Sequence, residues 1–341
     1  MATIKDVAKE AGVHISTVSR TLGGAYYVEP STRERVMQAV EKLGYKPNPI
    51  AKGLKEGRTR IIGYVVPRVN DSVFSQISQS ISQACVERDY MVILCCTGED
   101  TKIEADYYNR MKGKWVDGFI IGTANDDNRA LLESLKAENI PVVLVTRSIE
   151  NAFNAVLSDN VEGARQAAKH LIANGCKRIL FLNGNLKLEL CRERLKGYQQ
   201  GLMDEGIPFD QSLVCNDIAM QWAGAISPVK GTVTPEQAVA HIVSQNIEFD
   251  AVLGITDAVA AGAMTTLKNH GITIPDQVKI MGMGDLEIAS FTDPPLTTMH
   301  QSADTIGRRS VELLLEQIES RDFTAKTLEK LPFTLVVRET V

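Results

Sequence analysis

The sequence lacks most of the patterns that announce a reaction centre. Its six cysteines, Cys85, Cys95, Cys96, Cys176, Cys191 and Cys215, form no Cys-x-x-Cys pair and no Cys/His cluster at metal-ligand spacing. That spacing argues against a metal site and for buried free thiols in a reducing compartment. The five histidines, His14, His170, His241, His270 and His300, are dispersed, with no His-Glu-x-x-His pair. There is no Gly-x-x-x-x-Gly-Lys-Ser/Thr phosphate loop and no Gly-x-Ser-x-Gly elbow, and Gly282-Met-Gly-Asp285 lacks the third glycine of a dinucleotide fingerprint. Neither a cofactor nor catalysis is expected. Apolar runs fall short of the roughly 20 residues a membrane helix needs. The first residues, Met1-Ala-Thr-Ile-Lys-Asp6, have no apolar signal-peptide core, so a cytoplasmic protein without a membrane partner is expected.

What is present is ordinary globular composition, 44% hydrophobic and 23% charged over 341 residues, a length that implies more than one domain. The formal net charge of -5 hides an uneven distribution. Residues 1–60 carry 11 Lys/Arg and 6 Asp/Glu, whereas the rest carries 26 and 36. A small basic head on an acidic body suggests that only the head approaches a polyanion.

The head reads as three short helices. Thr3 and Asp6 fit a capping box ahead of Ile4, Val7, Ala8 and Ala11 at helical spacing, and Gly12-Val13 interrupts the pattern. A second helix runs from Ser16 to Leu22. A third has Pro30 in its first turn, Val36, Ala39, Val40 and Leu43 as core positions, and Gly44 as its stop. Such a bundle suits a helix-turn-helix reader of the DNA major groove. Ile15, Ser16, Thr17, Ser19 and Arg20 then offer an apolar contact, hydroxyls for phosphates and one guanidinium able to bind guanine O6 and N7. Pattern alone leaves open a packing module with a solvated polar face.

The run Ile4-Lys-Asp-Val-Ala-Lys-Glu-Ala-Gly-Val13, followed by Ser16-Thr-Val-Ser-Arg20, Arg33-Glu-Arg-Val36 and Leu43-Gly-Tyr-Lys-Pro-Asn48, resembles the head of the lactose-repressor (LacI/GalR) family. His14 stands where that family usually has a serine capping the recognition helix. The next segment, Asn48-Pro-Ile-Ala-Lys-Gly-Leu-Lys-Glu-Gly57, resembles the family's hinge helix. The resemblance implies further DNA contacts from Asn48, Ala51, Lys52 and Leu54, with Leu54 wedged into the central base step through the minor groove. The other reading of Leu54 is a linker leucine resting on the body. It also implies a homodimer, whose two-fold symmetry requires a pseudopalindromic operator on double-stranded DNA.

From Ile61 onward, short β-branched runs alternate with amphipathic stretches. Strands are expected at Ile61–Val66, Val92–Cys96, Gly118–Ile121 and Val142–Val145, and again at Ile179–Leu182, Ala251–Gly254 and Lys279–Gly282. The expected fold is thus an all-α helix-turn-helix head followed by a two-lobed α/β domain with parallel sheets. Its order resembles the periplasmic-binding-protein fold that the family uses for its effector domain. Residues 1–46 form the expected DNA head, 47–59 the hinge and 60–341 the sensor and dimerisation domain. Lobe 1 covers about 60–158 and 288–321, and lobe 2 about 159–287 and 322–341, with crossings near 159, 288 and 322.

Ligands of open α/β sheets sit beyond the carboxyl ends of the strands. Positions there that match the family's pocket are Phe74, Arg147, Arg194, Trp222 and Asp257, and the implied ligand is a small molecule such as a carbohydrate. Four of them have a plainer reading: Asp257 as a helix cap, Arg194 as a surface arginine, Phe74 and Trp222 as core. Thr146 stands where many sugar-responsive relatives have aspartate, and Leu188 and Leu190 where purine-responsive relatives have polar side chains, so the resemblance singles out neither a hexose nor a nucleobase. The expected function is a transcription regulator, in the repressor sense, modulated by that small molecule. A solute-binding protein of the same lobes, or a regulator answering to a protein partner, are the alternatives.

Overall fold

The computed structural model describes residues 2–23, 27–46, 57–113, 115–149, 152–219, 232–324 and 326–341. Hinge positions Asn48, Ala51, Lys52 and Leu54, and Trp222 of the cleft set, lie outside the described residues. The chain divides into two compact units, Met1–Thr59 and Arg60–Val341.

The first unit contains α1 (Ile4–Ala11), α2 (Ile15–Gly23) and α3 (Pro30–Leu43). Thr3 and Asp6 close the capping box reciprocally: the Thr3 amide donates to the Asp6 carboxylate at 2.8 Å, and the Asp6 amide to Thr3 Oγ1 at 3.4 Å. Gly12 and Gly44 end α1 and α3 in the left-handed region, at φ of 64° and 58°, a conformation that glycine adopts without strain. Val7, Ala8, Ala11, Val18, Val36 and Ala39 form the small core.

In the second unit, among the described residues, two six-stranded sheets are each flanked by helices. The first comprises β1 (Ile61–Val66), β2 (Met91–Cys96), β3 (Gly118–Ile121), β4 (Val142–Val145), β5 (Asn154–Ser158) and β11 (Leu328–Leu331), in the order β11-β5-β4-β3-β1-β2. All its pairings are parallel. The second comprises β6 (Ile179–Leu182), β7 (Val214–Cys215), β8 (Ala251–Gly254), β9 (Lys279–Gly284), β10 (Thr297–His300) and β12 (Thr334–Val336), in the order β12-β10-β9-β8-β6-β7. Only its β10–β12 pair is antiparallel. The central strands β3, β4, β6 and β8 are buried along their whole length and nearly all apolar, because both faces of a parallel sheet are covered.

The crossings correct the expected lobe boundaries. The structure keeps residues 297–300 in the second sheet, as β10. It carries the chain over just before the helix Ala303–Ser320, which packs on the first sheet through Val311 and Leu314, and brings it back between β11 and β12. The second and third crossings thus fall near 301 and 332, not 288 and 322. Hydrogen-bond pairing of β10 with β9 and of β11 with β5 sets these limits, and an apolar pattern gives no sign of which sheet a strand joins. All six cysteines are free, and Cys96 departs from the buried expectation by being exposed. No helix among the described residues is long and apolar enough to cross a membrane.

Candidate DNA-reading helix and effector cleft

On α2, Val18 is fully buried and Thr21 nearly so, which turns Ile15, Ser16 and Arg20 outward, with Thr17 and Ser19 half-buried beside them. The five side chains read from the sequence therefore share one helix and one general face. His14 caps the start of α2 with its ring. Its Nδ1 accepts from the Ser16 amide at 3.3 Å and lies 2.9 Å from Ser16 Oγ, satisfying one of the donors left bare at a helix start.

In the second unit, the carboxyl ends of both sheets open onto a cavity of about 450 Å³. From the first sheet come Thr146 and Arg147, directly after β4, and Ser158, which ends β5. Asp71 and Phe74 reach the cavity from the start of α4 (Ser72–Val86). Asp71 Oδ1 accepts from the amides of Val73 and Phe74 at 3.0 and 3.5 Å, capping that helix, and burial pushes its carboxyl above the usual range. Thr146 has φ of 63°, a left-handed conformation that a β-branched residue adopts only under strain. Arg147 is 5% exposed and donates through Nη2 to Glu99 at 2.8 Å. Its Nε and Nη1, together with the hydroxyls of Thr146 and Ser158, are buried without partners.

The facing wall differs. Arg194, 6% exposed on the helix Glu189–Asp204, donates from Nε to Asn160 Oδ1 at 2.9 Å and from Nη1 to the Ile255 carbonyl. Its guanidinium carbon lies 5.5 Å from the centre of the Phe333 ring. Burial pushes this guanidinium down to about 10. Leu190, Met283, Leu286 and Ile288 complete the wall with apolar surface. Among the described residues, polar contacts tie the lobes: Ser148 donates to Glu189 from its amide at 3.3 Å and its hydroxyl at 2.9 Å, and Lys330 meets Glu193 at 3.1 Å.

Asp257 is not brought into this cavity. Its side chain is fully buried, accepting from the Leu286 amide at 2.6 Å and from the Thr298 hydroxyl. Gly282 makes that approach possible, since a Cβ there would stand 2.2 Å from Asp257 Oδ1. Burial is the main cause that pushes its carboxyl up to about 6. The residue braces the helix Asp257–Asn269 against β9 and β10.

Two family models cover the chain: "Bacterial regulatory proteins, lacI family" over residues 3–48, and "Periplasmic binding proteins and sugar binding domain of LacI family" over residues 59–334. The chain belongs to the LacI family. Among its relatives, the HTH-type transcriptional repressor PurR of Vibrio parahaemolyticus is 32% identical, covering 100% of this chain and 99% of that protein. The Vibrio atlanticus PurR is 33% identical with the same coverage. The lac repressor dimer bound to operator and the anti-inducer ONPF matches with a TM-score of 0.86 at 26% identity, over 99% of this chain and 98% of that one. A CelR–cellobiose complex matches with a TM-score of 0.72 at 28% identity, over the whole of both chains. As a LacI-family member, the chain is a DNA-binding transcription regulator with a ligand-binding domain, not an enzyme.

Of the five cleft residues proposed from sequence, the structure brings Phe74, Arg147 and Arg194 to one cavity. It also adds Asp71 and Ser158. Asp71 had a visible signal, since an aspartate directly before an amphipathic helix caps it and so lies at a strand-to-helix turn. Ser158 had none beyond its place at a strand end.

Proposed function

We propose that this LacI-family chain is a repressor that binds a pseudopalindromic operator as a homodimer in the cytoplasm, its affinity set by a small molecule held between the lobes. Residues 1–46 serve as the reader, 47–59 as the hinge and 60–341 as the sensor. Ile15, Ser16, Thr17, Ser19 and Arg20 contact each half-site, and Asn48, Ala51, Lys52 and Leu54 follow the backbone and minor groove. Phe74, Arg147 and Arg194 line the effector site, with Trp222 assigned there by its family position. One observation carries the reading: residues holding unpartnered, buried donors line a cleft whose two walls come from different sheets, in a chain that also holds a helix-turn-helix head. A ligand that bridges such walls binds open and closed forms unequally, which is what coupling to operator affinity requires.

Selecting bound fragments from genomic DNA, with and without metabolites, tests this reading directly. A two-fold symmetric site is expected. Arg20→Ala should weaken it by about 1–3 kcal/mol and relax one base pair per half-site. Protein that prefers no sequence over bulk duplex at moderate salt would refute the assignment.

A further inference from the structure

Resting on the reading of the cleft as the effector site, we propose that the effector is a small monocarboxylate whose acid group sits against Arg147, between the hydroxyls of Thr146 and Ser158. A guanidinium has donors only, and Arg147 leaves Nε and Nη1 without acceptors while 5% exposed. Thr146 and Ser158 leave the carboxyl ends of neighbouring strands, where Val145 pairs with Val156, and each holds a buried, unpartnered hydroxyl. Three side chains with unmatched hydrogen-bond donors thus line the same cavity, at the ends of neighbouring strands. What fills it brings acceptors, and charge-assisted bonds to an anion are about twice as strong as those to a neutral oxygen.

The sign and size of the ligand charge follow from the surroundings. The cavity is lined by two buried guanidiniums, Arg147 and Arg194. Glu99, which engages Arg147, has a side chain 41% exposed at the rim, so solvent screens much of its charge. Asp71 is the acid on the lining, and its Oδ1 is engaged in capping α4. A single negative charge therefore balances the cleft. A phosphate dianion is less well served, because the amides at the start of α4 that would seat it already face Asp71. The remaining lining suits a body with one apolar face: Phe74 on one side, and Leu190, Met283 and Ile288 on the other.

The experiment uses the full chain, exhaustively dialysed, with melting temperature and calorimetry as readouts. The panel pairs acids with neutral counterparts: D-glucuronate with D-glucose, benzoate with benzamide, lactate with lactamide, and further metabolite acids with their amides or alcohols. Glucose 6-phosphate, D-ribose and hypoxanthine serve as separate arms. At least one acid should stabilise the protein saturably and bind about tenfold or more tightly than its neutral twin. Arg147→Gln should remove that preference, the acid then binding no more tightly than its neutral twin. Ser158→Ala, a smaller change, should weaken the same acid several-fold and guards against a folding defect in the first variant.

A panel in which no acid binds better than its twin overturns the carboxylate, whether neutral compounds bind or nothing does. Preference for the phosphate ester overturns it too, and acid binding indifferent to both variants overturns the location. A neutral sugar or hypoxanthine that binds and shifts operator affinity would leave the cleft standing as an effector site. If nothing binds and operator affinity is indifferent to every compound, the effector-site reading falls as well.

Discussion

Two arginines look across the same cleft and are buried to the same degree, Arg147 at 5% exposure and Arg194 at 6%, yet they are held in opposite ways. Arg194 is enclosed by Asn160, the Ile255 carbonyl and the Phe333 ring, all of them fixed parts of the protein. Arg147 has one half-exposed carboxylate for a partner and two bare nitrogens. The first is built into the wall, and the second is poised to receive something. Burial of a charge identifies neither role by itself; the inventory of its partners does.

The sharpest way to break this contrast is to remove each guanidinium. Arg194→Met should cost about 3–5 kcal/mol of unfolding free energy in urea titration, because the Ile255 carbonyl and Asn160 lose a buried donor. Arg147→Met should change stability by no more than about 1 kcal/mol, and equal losses from both variants would erase the distinction.

Asp257 extends the comparison to pH. Its carboxyl is pushed up to about 6 by burial, against 3.8 for the free group, so the folded form holds its proton more tightly than the unfolded chain does. The resulting cost is absent below about pH 4, grows as pH rises and is complete above about pH 6. It amounts to roughly 3 kcal/mol. Asp257→Asn keeps the shape and can donate to Thr298 while accepting from Leu286. It should flatten the stability profile between pH 4 and 6, and an unchanged slope there would show that another group sets it.

Contacts between the walls give a smaller effect. Glu189→Ala removes the acceptor for both donors of Ser148 and should shift lobe closure by about 2 kcal/mol toward the open form. Small-angle scattering that shows the same dimensions with and without the carboxylate would contradict this. The smallest change concerns Thr146, whose φ of 63° is easy only for glycine. Thr146→Gly should gain about 1 kcal/mol of stability in thermal unfolding while weakening the effector.

Much of the fold can be recognised locally. The head follows from Thr3 and Asp6 as a capping box, from the stops at Gly12 and Gly44, and from apolar spacing along α1 to α3, all of which are short-range interactions. Seven strands announce themselves as β-branched runs for the same reason. Five strands escape notice because their runs are short or polar: β5 begins with Asn154, β7 has two residues, β10 is Thr-Thr-Met-His, β11 is Leu-Glu-Lys-Leu and β12 has three residues. Their strand character comes from neighbours already in place, and the crossings near 301 and 332 follow from those pairings. For the cleft, sequence position brought Phe74, Arg147 and Arg194 together, since each follows or faces a strand end. It gave no sign that Asp257 packs inward, where the bare backbone of Gly282 on another strand admits its carboxylate.

The order of residues alone therefore determined a basic three-helix reader, an acidic α/β body with two sets of parallel strands, and a rim of strand ends where a ligand belongs. Only the tertiary structure decided which of the buried charged groups are already matched and which still seek a partner. Caps and periodicity act over a few residues of chain, whereas hydrogen-bond satisfaction of these groups depends on atoms brought together from segments tens of residues apart.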